Sequence, residues 1–285
     1  MLLIYERDGA VSAEAEFIEV TSTEIFMHLA VGGEDLERAT AAPGGSYLIG
    51  ASAQGLPDHD LAGDLDQLLP WLGETIASPL ADLLQGSGAT SATLVLCGPL
   101  GSAPLHAAPL SSSAEILADK LELRHAPSAA VCAAAIARAG AAGQRPRRLV
   151  ALADPCGDLL AARPEVQEIT TLFDTGASTC AVGAAATRRY LKQHAGQASH
   201  LHLACHARGG LFDASEAAIM LASGPLAATE LPALAELSTR LVVVSACQSA
   251  QSTIAGLPHE ELSIAMAMLA AGSACAIDLR LSRSP

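Results

Sequence analysis

The feature that most constrains the fold is a series of short apolar segments that alternate with helical segments in the second half of the chain. The most uniform of them is LVVVS at 241–245. Near-continuous apolar strands are required by a parallel sheet that is covered by helices on both faces. The sequence predicts strands at 148–153, 178–182, 200–205, 217–221, 241–245 and 273–277, and helices at 164–173, 185–194, 229–234 and 260–271. It therefore predicts an α/β fold with a mostly parallel central sheet.

Two of these predicted strands end at residues that can carry chemistry, His206 and Cys247. Open sheets of this class place their sites beyond the carboxyl ends of the strands. A neighbouring imidazole can lower the pKa of a thiol and so make it an activated nucleophile, and nearby backbone N–H groups can stabilise an oxyanion. Cysteine nucleophile sites of the caspase type place a histidine about 50 residues before the cysteine. The sequence thus favours a Cys–His pair.

Two alternatives compete with this interpretation. A lone cysteine at the end of a buried strand is commonly an inert part of the core. A zinc site could instead use His202, Cys205, His206 and Cys247. Structural zinc sites bring their ligands in compact pairs, and alternation along a strand directs Cys205 to the opposite face from His202 and His206. We therefore expect no metal, with His202 as a satisfied polar group and Cys205 as a core residue.

Composition limits the compartment and the partners. Thirty acidic residues against sixteen basic ones give a formal net charge of −14, which argues against nucleic-acid binding. The seven cysteines are odd in number and include no CxxC pair, so we expect reduced thiols rather than a disulfide framework. No apolar run is long enough for a signal peptide or a membrane span. We expect a cytoplasmic protein that does not bind membranes.

The first half of the chain has a different pattern. Strands are predicted at 2–5 and 15–20 around Asp8-Gly9, and a further strand at 94–97. A helix is expected at 22–39, and helical spacing recurs at 61–84, where Pro70 and Pro79 should break the helix into pieces. The linker candidate is 141–149. We expect an N-terminal α+β part at 1–140 and a core at 141–285, or one continuous domain.

The segments HLACHARGG at 202–210 and VVVSACQSA at 242–250 resemble the CHAT domain, a caspase-like family in the clan of caspases and separase. Family members have sequences similar to His-Leu/Phe-Ala-x-His-Gly at the histidine strand and to Leu-Ser-Ala-Cys-x-Thr at the cysteine strand. Further similar segments extend over nearly the whole chain: LCGPLGSAPLHAAPL at 96–110, LVALADP at 149–155, ATRRYLKQ at 186–193, LASGPLAATEL at 221–231 and HEELSIAMAMLAAGSACAI at 259–277. The resemblance implies a caspase-like three-layer α/β/α fold.

The same resemblance implies a cysteine endopeptidase that hydrolyses a protein or peptide substrate without metal or organic cofactor. His206 would be the general base that activates Cys247, and an acyl-enzyme would form. The backbone N–H groups of Ala207 and Cys247 would form the oxyanion hole. The substrate pocket would use Asp154, Asp158 and Ser245, although Asp154-Pro155 is also a turn signal. A regulatory protein partner is a further expectation.

Two departures from the family pattern bear on activity, and Ser249 in place of threonine is a milder one. Ala207 replaces the usual glycine after the histidine and tolerates fewer backbone conformations. After Ile277 the chain continues only with the short basic segment DLRLSRSP, so we expect the core to be truncated or divergent there. These departures support the alternative of a catalytically inactive caspase-like module that binds other proteins.

Overall fold

The computed structural model describes residues 2–7, 10–15, 61–96, 103–111, 115–208, 216–234, 237–246 and 263–278. These residues fall into two compact units, with the boundary between Ala129 and Ala130. The predicted helix at 22–39, most of the predicted strand at 15–20, and Cys247 lie outside the described residues. The division at 140/141 remains a prediction, because compactness alone does not identify which segments fold independently.

The first unit is built on a mixed four-stranded sheet in the order β2-β1-β3-β4. Its strands are β1 (Leu2–Arg7), β2 (Ala10–Ala15), β3 (Ser91–Val95) and β4 (Glu122–His125). The β1–β2 and β1–β3 pairs are antiparallel, whereas β3 and β4 are parallel. The observed β2 begins at Ala10, five residues before the predicted start, because only two residues separate the paired strands.

The helical region of the first unit continues through both prolines, which corrects the prediction that they break it into pieces. Helix α1 (Leu61–Leu72) contains Pro70, a π-helical segment covers Gly73–Ala77, and α2 (Ser78–Ser87) follows directly. Pro79 lies in the first turn of α2, where a missing N–H removes little hydrogen bonding. The wider π turn keeps the chain helical between the two prolines. Helix α3 (Leu117–Lys120) precedes β4.

The second unit contains helix α4 (Ala129–Ala142), which straddles the unit boundary, and a larger set of strands and helices. Its strands are β5 (Leu149–Ala153), β6 (Ser178–Val182), β7 (His200–Ala204), β8 (Ala207–Arg208), β9 (Ala218–Leu221), β10 (Gly224–Ala227), β11 (Leu241–Ser245) and β12 (Ala276–Asp278). Its other helices are α5 (Ala162–Thr170), α6 (Arg188–His194), α7 (Leu231–Leu234) and α8 (Ile264–Ala270).

Two helices of this unit begin at residues whose hydroxyl groups satisfy backbone donors. Thr187 Oγ1 accepts the Tyr190 N–H at 3.2 Å and starts α6. Ser263 Oγ accepts the Met266 N–H at the same distance and starts α8. Such caps fix a helix start because the first N–H groups of a helix have no partner within it.

Five parallel strands form the central sheet, in the order β12-β11-β7-β5-β6. Alternate residues of β5 face opposite sides: Leu149, Ala151 and Ala153 pack against α5, whereas Val150 and Leu152 belong to the core that includes α6, α7 and α8. Helices therefore cover both faces, and the expected three-layer α/β/α fold with a parallel central sheet is confirmed. Uninterrupted apolar strands indicate this arrangement because both faces are buried.

Several predicted boundaries are confirmed and others differ. Strands β6 and β11 begin and end where the sequence predicts. The predicted helix at 185–194 is a short 3-10 turn at Gly183–Ala185 followed by α6. Strands β8 and β10 were not predicted; with β9 they form a three-stranded antiparallel sheet in the order β10-β9-β8. None of the helices in the described ranges is long and apolar enough to cross a membrane.

We expect Gly272→Ala to lower the free energy of unfolding by about 2–4 kcal/mol, measured by chemical denaturation. Gly272 has a φ of 113°, and a Cβ there would collide with the carbonyl oxygen of Leu237. Gly140→Ala is the matched control, because Gly140 is exposed in α4 and a Cβ there meets nothing within 4 Å. It should raise stability by about 0.5–1 kcal/mol. Equal effects of the two variants would contradict the close approach at Gly272.

Candidate active site

Three neighbouring strands of the central sheet end at the same level. In the β7–β11 pair the last residues in register are Ala204 and Ser245. In the β5–β7 pair they are Ala153 and Ala204, and the ladder extends one bond further, from the Asp154 N–H to the Ala204 carbonyl at 2.9 Å. The segments after β5, β7 and β11 therefore leave the sheet side by side, at its carboxyl edge.

His206 follows β7 at this edge and is held through its backbone. Its carbonyl accepts the Met220 N–H at 2.8 Å, which joins the start of β8 to β9. Its side chain is 43% exposed, and Nε2 lies 2.9 Å from Oδ1 of Asp158. An ionised carboxylate can only accept a hydrogen bond, so Nε2 carries the proton of this contact. In the neutral ring the other nitrogen, Nδ1, is then the acceptor.

The segment that carries Asp158 is shaped by Asp154. Asp154 has a φ of 51°, in the left-handed region, and its carbonyl accepts the Gly157 N–H at 3.2 Å. Its buried carboxylate accepts the Leu159 N–H at 2.9 Å and lies 3.4 Å from Arg163 Nε. The Leu159 N–H, with smaller contributions from other backbone donors and Arg163, holds the pKa of Asp154 below its usual range. This is the turn that Asp154-Pro155 indicated.

Ala207 adopts an extended conformation in β8. It pairs with Ile219, and the Met220 N–H bonds to the carbonyl of His206. In antiparallel pairing this pattern makes Ala207–Ile219 a non-hydrogen-bonded pair, so the Ala207 N–H is directed away from β9. The alanine at this position therefore requires no positive φ in the described conformation.

Of the segment after β11 the structure describes only Ala246, which is buried. Cys247 lies outside the described residues, so the pairing of its thiol with His206 stays a prediction. Ser245, predicted for the substrate pocket, is half-buried and in register with Ala204. Within the described residues the structure brings Asp158 to His206 and keeps the carboxylate of Asp154 in the turn.

A second contact between a histidine and a carboxylate lies within the sheet, on β7. His202 is 4% exposed, and its Nε2 lies 2.9 Å from Oε1 of Glu165 on α5. Burial lowers the pKa of His202, and Glu165 partly opposes this effect. The expectation that His202 is a satisfied polar group is confirmed. Cys205 lies in the core on the opposite face of the sheet, as alternation along the strand indicated.

The described cysteines near this edge are poor nucleophiles. Burial raises the pKa of the Cys205 thiol to about 12. Local desolvation and the charges of Asp158 and Asp154 raise the pKa of Cys156, which is exposed. Thiols with raised pKa values stay protonated at neutral pH. Among the residues that the structure describes, no group of three His, Cys, Asp or Glu side chains could hold a metal ion.

Sequence reasoning did not find the partners of the two histidines. The sequence pattern assigns Glu165 only to a helix, and the resemblance assigns Asp158 to the substrate pocket. The pairing with Asp158 depends on a turn four residues long after β5, which periodicity does not specify. The signal available was Asp-Pro-Cys-Gly-Asp at 154–158, a turn-forming sequence directly after a buried strand.

We expect Glu165→Ala to lower the free energy of unfolding by about 1–3 kcal/mol, because the buried Nε2 of His202 loses its partner. Glu168→Ala, at an exposed position of the same helix, should change stability by less than about 0.5 kcal/mol. Chemical denaturation at pH 7 measures both variants. Equal losses would contradict the importance of the contact between His202 and Glu165.

The pH dependence of Glu165→Ala follows from the direction in which folding shifts the pKa of His202. A histidine whose pKa is lowered by folding contributes stability that is lost as pH falls through its unfolded pKa, about 6.5. Without Glu165, burial acts on His202 unopposed and lowers its pKa further. Glu165→Ala should therefore lose more stability than the wild type when the pH falls from 7 to 5.

Comparison with known proteins shows the family of the chain. No curated protein matches the chain. The family model described as the CHAT domain matches residues 66–280, which include β5, β7 and β11 and the segments that follow them. The chain therefore belongs to the CHAT-domain family, a caspase-like family related to peptidases.

Proposed function

We propose that this protein is a cysteine endopeptidase that hydrolyses peptide bonds with a dyad of Cys247 and His206. The observation that carries the proposal is the register of β7 and β11. Each residue of β7 pairs with the residue 41 positions later in β11, and 41 positions also separate His206 from Cys247. Neighbouring strands lie about 4.8 Å apart. Ala246, the residue directly before Cys247 in the sequence, is described at this edge, which supports the proposal.

The chemistry uses the groups at this edge as follows. Nδ1 of His206 takes the proton of the Cys247 thiol, and the thiolate attacks the carbonyl carbon of the scissile peptide bond. The N–H groups of Ala207 and Cys247 stabilise the resulting oxyanion. When the C–N bond breaks, the imidazolium gives its proton to the leaving amine and a thioester remains. His206 then removes a proton from water, which attacks the thioester and releases the acid and the thiol.

The described thiols support the choice of nucleophile. The raised pKa values of Cys205 and Cys156 disfavour both as thiolates at neutral pH. Four cysteines in the described part of the chain are free thiols, which supports the proposal of a reducing cytoplasmic environment: Cys132, Cys156, Cys180 and Cys205. The substrate is a protein or peptide. We keep the pocket role of Ser245 as part of the proposal, since Ser245 ends β11 two positions before Cys247.

We expect Cys247→Ala to abolish cleavage of a peptide library and labelling by a thiol-reactive peptidyl probe. His206→Ala should lower the cleavage rate by about 10²- to 10⁴-fold, because the thiol loses its general base. Cys156→Ala is the matched control and should keep both activities, since Cys156 is an exposed thiol beside the same edge.

Labelling that persists in Cys247→Ala would contradict this choice of nucleophile. A folded wild-type protein that cleaves nothing in a broad library and resists the probe would favour the alternative, an inactive module that binds other proteins.

The replacement of the family's glycine by Ala207 can be tested separately. We expect Ala207→Gly to leave kcat unchanged within about twofold, because Ala207 already has the extended conformation that alanine accommodates. Steady-state kinetics on the best library peptide measures this. A large rise in kcat would indicate that the active conformation needs a positive φ at this position.

A further inference from the structure

The contact between Asp158 and His206 has a role that substrate recognition does not explain. Oδ1 of Asp158 lies 2.9 Å from Nε2 of His206, a hydrogen-bonding distance. A carboxylate placed in a pocket to recognise a basic side chain should be directed at the substrate. Here one of its oxygens is directed at the imidazole that the proposed mechanism requires.

The fold supports this direction of Asp158 through the preceding turn. The Asp154 carboxylate closes the turn by accepting the Leu159 N–H, and the Asp154 N–H ties the turn to the end of β7. Asp158 is the residue directly before Leu159, so its backbone is fixed relative to the strand that carries His206. Asp154 is itself buried and paired with Arg163, which leaves Asp158 as the carboxylate that reaches the ring.

We propose that Asp158 is a positioning residue that fixes the ring orientation and the tautomer of His206. By accepting the Nε2–H, it leaves Nδ1 unprotonated and free to take the proton of a thiol. When the ring becomes an imidazolium, the negative charge of Asp158 stabilises it. The inference rests on the proposed function for its catalytic consequence, whereas the tautomer can be measured without any activity.

Solvent exposure limits how strongly Asp158 can act on the His206 ring. The side chains of His206 and Asp158 are 43% and 62% exposed, so solvent screens their interaction. Three charged groups in the described parts of the adjoining segments have other partners: Asp154 contacts Arg163, Glu165 contacts His202, and Arg208 donates to the Glu216 carbonyl. The pair should therefore act as a local contact of modest strength.

The first experiment reads the tautomer by NMR. The protein is labelled with ¹⁵N-histidine in the Cys247→Ala background, and the two ring nitrogens of His206 are observed at a pH where the ring is neutral. We expect the Nε2–H tautomer to predominate, and Asp158→Asn to produce a mixture of tautomers, because an amide can either donate or accept. Asp174→Asn should leave the spectrum unchanged, since Asp174 is exposed in the turn before β6, at the opposite end of the strands.

The second experiment measures kinetics. We expect Asp158→Asn to lower kcat by about three- to tenfold with KM within about twofold, because the pair is exposed and only orients the base. Asp158→Glu should recover part of the loss. In a His206→Ala background, Asp158→Asn should have no further effect, since the two residues act through one contact.

The outcomes separate this inference from the proposed function. An unchanged tautomer in Asp158→Asn overturns it, whether or not the protein cleaves peptides. A change in the preferred residue before the cut, with kcat on the best peptide unchanged, also overturns it and supports the pocket role. If the tautomer shifts but no variant cleaves any peptide, the positioning contact stands and the peptidase proposal fails.

Discussion

The candidate site depends on the hydrogen-bonded register of β7 with its two neighbours. One ladder joins β7 to β5 and another joins it to β11, and both run to Ala204. Because all three strands are parallel, the segments that follow them leave the sheet at one edge. A shift of one residue in either ladder would turn every side chain of that strand to the other face. The buried, alternating packing on both faces excludes such a shift.

The strand ladders align the strand ends, and the turn after β5 positions the side chain that contacts His206. Asp154 adopts a left-handed conformation that is costly for a residue with a Cβ, and its carboxylate offsets that cost by accepting the Leu159 N–H. The same turn keeps Asp158 beside His206. Below this edge, His202 joins β7 to Glu165 on α5. His202 on β7 and His206 just after it therefore each contact a carboxylate from the part of the chain that follows β5.

The sequence predicted the layer architecture well because a buried parallel strand has a simple signature. LVVVS at 241–245 and the alternation of strands with helices sufficed for the sheet and its two faces. The short strands β8 and β10 were missed because their pairing depends on tertiary contacts rather than on periodicity. The break expected at Pro70 and Pro79 did not occur, since one proline is tolerated in a first turn and a π-helical segment bridges the two.

The candidate site could be predicted only in part, because one of its contacts depends on a turn that no sequence pattern specifies. His206 is found at the strand end because strand ends are where such sheets carry chemistry. Its contact with Asp158 could not be read from the residues, because it depends on the dihedral angles of a turn. Ala207 was a departure from the family pattern, and the structure supplies what a sequence lacks, the extended conformation in which alanine is acceptable.

The segment that joins β5 to α5 has a consequence for how such a site can diversify. Alanines at 151, 153 and 204 cover the sheet face below α5, so the helix lies close to the strands. The connection is anchored at Asp154 on one side and at the Glu165–His202 contact on the other. Insertions between Asp154 and Asp158 would move Asp158 away from the imidazole. Proteins that descend from this chain and acquire new targets should therefore keep the length of the segment 154–158 constant and vary elsewhere.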